Sequence, residues 1–217
     1  MPIRSYGQFC GLARALDIVG DRWALLIIRE LLISPRRYTD LHGALPGAAS
    51  NLLADRLRDL TKGGVISTRM VPAPTPARLY ELTQLGRELG PTVLALTKWG
   101  GHRMLAGKRG DAFRPDWLVI AFRALLGGKT WTEAARVRFL VEDASILIDA
   151  RATGCRVELD AASSADLEVT TDGETALAIV SGYLPLDRAA RSRRCAVTGK
   201  KRAIRAATAS FAAERAA

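Results

Sequence analysis

The sequence predicts an α+β protein with two domains, and three observations support this expectation. The chain has 217 residues, more than one small domain needs for its core. Apolar residues recur at helical spacing in most of the first half, whereas the second half alternates apolar and polar residues over short stretches. A polar, glycine-containing linker at 107–114 separates the halves, so we expect domains at 1–106 and 115–217.

Three helices are expected before residue 45, and each has an identifiable end. They span residues 12–19, 22–32 and 38–44. Gly20-Asp21 ends the first, and Ser34-Pro35 ends the second because proline cannot continue the helical hydrogen bonds. Pro46-Gly47 forms the turn after the third.

The segment 50–62 is expected to form an amphipathic helix. Ser50 is a suitable N-cap, and Gly63-Gly64 is a suitable stop. Its apolar side carries Leu53, Leu57 and Leu60, which lie within about 60° of one another on a helical wheel. The opposite side carries Asn51, Asp55, Arg58 and Lys62. Any amphipathic helix has a solvated polar face, so the polar residues of this helix alone do not indicate DNA binding. The neighbouring elements decide between the two interpretations.

The periodicity changes to that of strands after this helix. Residues 65–71 and 79–82 read as a hairpin around a proline-rich tip at 72–76, with Arg69 and Arg78 near the tip. Helix, short helix, polar-faced helix and hairpin is the order of a winged helix-turn-helix. In that fold the second helix of the motif enters the DNA major groove and the wing touches the neighbouring backbone or minor groove.

This arrangement predicts double-stranded DNA as a partner and assigns two kinds of contact. Asn51, Asp55 and Arg58 would face bases, with Asp55 either accepting from a base amine or orienting Arg58. The expected contacts to the DNA backbone come from polar and basic side chains nearby: Arg36, Arg37, Ser50, Arg56, Lys62, Arg69 and Arg78.

A long helix capped by Thr83 is expected after the hairpin. It carries more apolar residues than so small a core needs, as does the first helix. The excess residues are Leu12, Leu16, Leu89, Val93, Leu96 and Trp99. They predict a homodimer interface, and packing against the second half of the chain is the alternative.

Several runs resemble the HxlR family of bacterial regulators over roughly residues 8–105. They are Cys10 with 15–31, 37–41, 44–47, 53–57, 80–83 and 85–89. The resemblance implies a homodimer in which the first and last helices pair across a two-fold axis and place two recognition helices on a palindromic operator. Some members of the family use a cysteine at the position of Cys10 as a thiol switch. An inert, half-buried cysteine is the alternative.

The second half predicts a five-stranded sheet covered by helices on one face. After an apolar helix at 116–126, strands are expected at 137–142, 145–150, 156–160, 166–170 and 195–198, with the first turn at Asp143-Ala144. Helices are expected from Asp172 to Gly182, at 186–192 and at 200–211. The stretch 166–211 resembles the sterol carrier protein family. That resemblance implies an apolar cavity for a hydrophobic small molecule, and an ordinary solid core is the alternative.

Charge adds a further indication. Residues 1–110 hold 16 Lys and Arg against 8 Asp and Glu, whereas residues 111–217 hold 16 against 14. A basic first domain suggests phosphate binding, although a genome rich in arginine codons gives the same excess. The second half also has a dense basic cluster within 188–205, which fits a second DNA contact, a lure for an anionic ligand or a solvated face.

Other classes of protein find little support. No run approaches the roughly 20 apolar residues that cross a bilayer, and no signal segment is present, so we expect a cytoplasmic protein without a membrane partner. Cys10, Cys155 and Cys195 form no disulfide or zinc pattern, and His42 and His102 lie outside any catalytic motif. We expect no cofactor, no metal and no enzymatic activity. The alternative, an enzyme built on the second half, lacks a nucleophile–base pair.

The sequence therefore predicts a dimeric, ligand-responsive transcriptional repressor whose C-terminal domain senses a hydrophobic molecule. The alternative function is thiol sensing by Cys10, with a C-terminal domain that is purely structural.

Overall fold

The structure is a computed structural model, and it describes residues 5–72, 76–101, 103–104, 110–129, 131 and 133–212. The chain divides into two compact units, residues 1–93 and 94–217. Part of the predicted linker lies outside the described residues, as does His102. The expected boundary at residue 106 therefore stays a prediction.

The helices of the first unit follow the predicted order. They are α1 (Gly11–Val19), α2 (Ala24–Ile33), α3 (Tyr38–Ala44) and α4 (Ser50–Lys62). α2 begins two residues later than predicted because Trp23 has a φ of +80°, outside the helical region. The predicted apolar side of α4 is confirmed, since Leu53, Leu57 and Leu60 are buried.

A three-stranded antiparallel sheet completes this unit. Its strands are β1 (Arg36–Arg37), β2 (Ile66–Val71) and β3 (Ala77–Leu82), in the order β1-β3-β2. The pair β2–β3 is the predicted hairpin, and residues 73–75 of its tip lie outside the described residues. β1 was not predicted, because two residues are too few to show an alternating pattern.

The prediction of one long helix after Thr83 is wrong, because two helices follow: α5 (Gln84–Glu88) and α6 (Gly90–Gly101). The cap itself is confirmed, since the Thr83 hydroxyl accepts a hydrogen bond from Gly86 N at 3.1 Å. Pro91 explains the break. It has no N–H to donate one turn back, and its ring crowds the preceding turn of a continuous helix.

The second unit is the predicted α+β fold. Its helices are α7 (Leu118–Leu126), α8 (Gly173–Val180), α9 (Leu186–Arg191) and α10 (Lys201–Phe211), and a short 3-10 turn at Pro115–Trp117 precedes α7. Its strands are β4 (Ala135–Val141), β5 (Ala144–Arg151), β6 (Gly154–Leu159), β7 (Leu167–Thr171) and β8 (Cys195–Gly199). The predicted turn at Asp143-Ala144 is wrong by one residue. The turn is at Glu142-Asp143, and Glu142 has a φ of +52°.

The five strands form one sheet in the order β6-β5-β4-β7-β8. β4 and β7 are parallel, and the other neighbours are antiparallel. The segment 160–166 therefore crosses from the edge strand β6 past β5 and β4. Arg138 of β4 stabilises this crossing, because it donates to the Ser163 carbonyl and, at 2.7 Å, to Glu168 Oε1 of β7.

Aromatic rings fill the centre of the layer between sheet and helices. The Phe139 ring of β4 lies 5.2 Å from Phe122 of α7 and 6.0 Å from Phe211 of α10, measured between centroids. Trp131 contacts Phe211 edge-on at 5.6 Å. All four side chains are buried. This part of the layer is a packed core.

Candidate nucleic-acid interface

The start of α4 is fastened to α3 by polar contacts. The Tyr38 hydroxyl donates to the Ser50 carbonyl at 2.8 Å, and Ser50 Oγ lies 3.2 Å from His42 Nε2. The Tyr38 and His42 rings stack with centroids 6.2 Å apart. The predicted N-cap role of Ser50 is wrong, because α4 begins at Ser50 and the cap position is Ala49. The Ser50 hydroxyl instead joins the two helices of the helix-turn-helix.

The predicted polar side of α4 is exposed. It consists of Asn51, Asp55, Arg58 and Lys62. Arg58 Nη1 donates to Asp55 Oδ1 at 2.7 Å, and these side chains are 60% and 54% exposed. Asp55 therefore holds the Arg58 guanidinium while leaving its other N–H groups open to solvent. Of the two roles expected for Asp55, orienting Arg58 is the one with a contact in the free protein.

Arg56 lies to one side of this face and is already paired. Its Nη1 forms ion pairs with Asp21, in the turn before α2, and with Asp59 Oδ2 at 2.8 Å. Its side chain is only 21% exposed. Arg56 thus ties α4 to the end of α1, and a phosphate would have to compete with two carboxylates for it.

The two arginines of β1 have different surroundings. Arg36 is half-buried, and its Nη2 lies 3.9 Å from Oε2 of the fully buried Glu30. Arg29 Nη2 contacts the other oxygen of Glu30 at 2.6 Å. Arg37 is exposed, while its backbone N donates to Asp40 Oδ2 at the start of α3. Arg37 is therefore better placed than Arg36 to meet a phosphate.

The hairpin carries one predicted arginine on each face. Arg69 pairs with Leu79 across the hairpin, whereas Arg78 pairs with Met70. Adjacent pairs point to opposite faces, so the Arg69 and Arg78 side chains diverge. Arg69 Nε also lies 3.3 Å from Glu81 Oε2, while Arg78 is exposed.

The N-terminal segment and α1 present an apolar surface. Leu12 is 68% exposed and Leu16 38%, and the nearby Tyr6 and Phe9 are also exposed. Tyr6 and Phe9 were not predicted to belong to an interface. Two aromatic rings in an otherwise polar N-terminal segment could have indicated it. A shallow depression here is lined by Tyr6, Cys10, Leu12 and Leu16 among others. We call the surface formed by Tyr6, Phe9, Cys10, Leu12 and Leu16 the α1 apolar surface.

The predicted interface residues of the later helices are placed unequally. Leu96 and Trp99 are exposed at 45% and 69%, Leu89 is half-buried, and Val93 is buried at 6%. Val93 packs inside its own chain, so it is not free to contact a second subunit in this arrangement.

The three cysteines differ in accessibility. Cys10 is exposed at the start of α1, and the backbone N–H groups of Ala13 and Leu12 near its sulfur lower the pKa of its thiol. Burial raises the pKa of Cys155 and of Cys195. Cys10 is therefore the thiol most readily converted to thiolate.

The described residues bear on two other kinds of site, a metal centre and a membrane span. Within the described ranges, no three His, Cys, Asp or Glu side chains converge to hold a metal ion. Each helix in those ranges is too short or too polar to span a bilayer.

Comparison with known proteins assigns the first part of the chain. The profile of the HxlR-like helix-turn-helix family matches residues 18–107. The uncharacterized HTH-type transcriptional regulator sll1512 of Synechocystis is 35% identical over 99 residues, which are 46% of this chain and 73% of that protein. YvaP of Bacillus subtilis, described in the same words, is 36% identical over 87 residues, 40% of this chain and 80% of its own.

Among solved structures, the redox regulator HypR in its reduced form aligns with 43% of this chain and 92% of its own, at 25% identity and a TM-score of 0.41. A likeness at that score supports no inference about this chain. The two sequence relatives, by contrast, are matched over most of their length, and the matched family model covers the helix-turn-helix described above. The chain therefore belongs to the HxlR-like helix-turn-helix family of DNA-binding transcriptional regulators.

Proposed function

We propose that this protein is a cytoplasmic homodimeric repressor that reads a palindromic operator with α4 and places the β2–β3 hairpin against the neighbouring DNA backbone. The exposed polar face of α4 carries the proposal. A buried leucine stripe fixes the opposite side of α4, and Tyr38 and His42 fix its start. The face is thus presented rigidly, as base reading requires.

Arg58 is the proposed base-reading residue. A guanidinium suits the O6 and N7 acceptors of guanine because it offers two parallel N–H donors. The 2.7 Å bond to Asp55 uses Nη1 and limits the freedom of the side chain before DNA binds. Asn51, two turns earlier on the same face, is exposed and suited to adenine. Arg37, Lys62 and the hairpin arginines are proposed to contact phosphates.

Dimerisation is proposed to occur through the α1 apolar surface together with Leu96 and Trp99 of α6. Large apolar side chains left exposed commonly mark an interface. Leu12 and Trp99 are each more than two-thirds exposed. A dimer with two-fold symmetry would present two copies of α4, one for each half-site of a palindromic operator.

The second unit is proposed to sense a hydrophobic molecule, in keeping with its sheet-and-helix architecture. The packed rings of Phe122, Phe139 and Phe211 limit this proposal, because a ligand would have to displace them or bind beside them. Native mass spectrometry of the purified protein gives the test. A co-purified lipid supports sensing, and its absence, with no lipid effect on DNA binding, contradicts it.

Thiol sensing is the second candidate function, and exposed Cys10 with its lowered pKa favours it. Cys10 lies in the α1 apolar surface, so a bulky adduct there would disturb the proposed dimer. In this alternative the second unit is structural.

Selection from a random duplex library tests the operator proposal with the full-length protein. We expect an enriched palindrome with half-sites about one helical turn, roughly 10 base pairs, apart. Enrichment of a single asymmetric site, or no enrichment at all, would contradict it.

A further inference from the structure

The near-neutral total of residues 111–217 conceals a separation of charge. Residues 186–212 hold eight Lys and Arg against one Asp. Residues 111–185 hold seven Lys and Arg against twelve Asp and Glu. The stretch 186–212 is therefore strongly basic, and the stretch 111–185 is acidic. We call the 186–212 stretch the basic segment.

The basic segment folds as consecutive elements that contact one another. α9 packs against β8 and against α10. β8 is an edge strand of the five-stranded sheet. The cations that flank β8 therefore lie at one edge of this unit, and those of α10 continue from the end of β8 along a helix that packs on the central strand β4. The exposed Arg151 and Arg156 lie on β5 and β6 towards the opposite edge.

Only some of these cations are neutralised by neighbours. Carboxylates pair with three of them: Arg191 with Asp187, Lys200 with Asp166, and Arg202 with Glu133. Four others have exposed side chains that form no ion pair or hydrogen bond with the part of the chain that the structure describes: Arg188, Arg193, Lys201 and Arg205. Unpaired guanidinium and ammonium groups retain their full capacity for phosphate.

The packing of α10 argues for a nucleic acid over a membrane. Its apolar side is used inside the unit, since Ala203, Ala207 and Phe211 are buried. A helix that binds a lipid surface needs a free apolar face to insert, and α10 exposes its basic side instead.

We infer that the basic segment binds the phosphate backbone of DNA beside the sequence read by α4. This inference rests on the proposed function for its geometry, because α4 holds the protein on DNA and raises the local concentration of phosphate around the second unit. The contact adds affinity without sequence preference, since phosphates carry no sequence information.

Salt dependence of DNA binding by the full-length protein gives the test. The test variant is Lys201→Gln/Arg205→Gln, and the control is Arg151→Gln/Arg156→Gln, which removes the same charge near the opposite edge. Probes are a selected duplex and a random duplex, each of about 40 base pairs, between about 50 and 300 mM salt. The slope of log K against log salt is negative, and each lost phosphate contact reduces its magnitude by about 0.9. We therefore expect this magnitude to fall by up to about 1.8 on both duplexes for the test variant. The control keeps the wild-type slope.

Four outcomes would overturn the inference. Equal slopes for test variant and wild type show no phosphate contact, and equal falls in both double variants show an effect of net charge alone. If the test variant aggregates and its slope is unchanged, the cations serve to keep the exposed edge strand β8 from pairing with other chains. Lost binding to phosphatidylglycerol vesicles with an unchanged DNA slope assigns them to a membrane.

Failure of the proposed function would give a different result from failure of this inference. A wild-type protein that does not prefer the selected duplex contradicts base reading by α4, whereas the slope comparison on the random duplex still decides the inference. Circular dichroism checks folding. If the double variant does not fold, the single variants Lys201→Gln and Arg205→Gln replace it, and each is expected to reduce the magnitude of the slope by about 0.9.

Discussion

The Tyr38 hydroxyl donates a 2.8 Å hydrogen bond to the Ser50 carbonyl and so joins α3 to the first residue of α4. Tyr38→Phe removes only this hydroxyl. We expect a loss of about 0.5–1.5 kcal/mol in the free energy of unfolding, measured by urea denaturation, and weaker DNA binding because α4 is less firmly held. Tyr183→Phe is the control, since Tyr183 is 70% exposed. Equal effects of the two substitutions would remove any special role for the Tyr38 bond.

Leu57 lies at the centre of the buried side of α4 and is 2% exposed. Leu57→Ala is expected to cost about 2–5 kcal/mol in the free energy of unfolding, because a cavity forms and apolar contacts are lost. Chemical denaturation measures the change. Leu85→Ala, at a leucine that is 51% exposed, serves as the control and should cost far less. A small loss for Leu57→Ala would mean that α4 is not anchored as described.

Leu12→Asp places a charge in the α1 apolar surface. We expect the dimer dissociation constant, measured by analytical ultracentrifugation without DNA, to rise at least about tenfold because the charge would be desolvated in the interface. Met70→Asp, at a side chain of similar exposure in the hairpin (62% against 68%), should leave it unchanged. If dimerisation survives Leu12→Asp unaltered, the interface lies elsewhere.

Cys10 should be alkylated by iodoacetamide faster than Cys155 or Cys195 at neutral pH. Its lowered pKa gives a larger thiolate fraction, and the other two thiols have a raised pKa and lie further from solvent. Mass spectrometry after timed quenching identifies the modified residue, and Cys10→Ser should abolish the fast phase. A fast phase that persists in this variant would contradict the assignment.

Asp160, the first residue of the crossing segment 160–166, makes the free energy of unfolding depend on pH in acid. A hydrogen bond from the Ser163 side chain, with others from the Ser163 and Ala162 backbone N–H groups, lowers the Asp160 pKa to about 2. Since the folded pKa lies below the unfolded value of about 4, this contribution is full above pH 4 and is lost as the pH falls through about 2. Asp160→Asn keeps an acceptor oxygen without the charge, so we expect a flatter dependence of unfolding free energy on pH between about 4 and 2. An unchanged acid profile would contradict the assignment.

The sequence predicted most elements because their signals are local. The spacing of Leu53, Leu57 and Leu60 predicted the orientation of α4, and the alternation in β4 and β5 predicted a hairpin. The break before α6 was also readable, since Pro91 stands at that point, but the apolar periodicity on both sides of it suggested one helix.

Other features depend on contacts between distant residues and could not be predicted. Arg56 looked available to DNA, yet it pairs with Asp21, which is 35 positions earlier in the chain. Leu96 and Val93 share the same periodicity, but one is exposed and the other buried, because periodicity does not identify what covers each face. The separation of charge in the second unit was hidden by counting that half as a whole.

Arg58→Ala tests most directly the claim that the exposed face of α4 reads bases. The variant should lose about 1–3 kcal/mol of binding free energy on the selected duplex and much less on a random duplex, so that sequence preference falls. Arg151→Ala, at an exposed arginine of the second unit, should bind both duplexes as the wild type does. Equal weakening of Arg58→Ala on both duplexes would show that Arg58 grips phosphate and would contradict base reading by this residue.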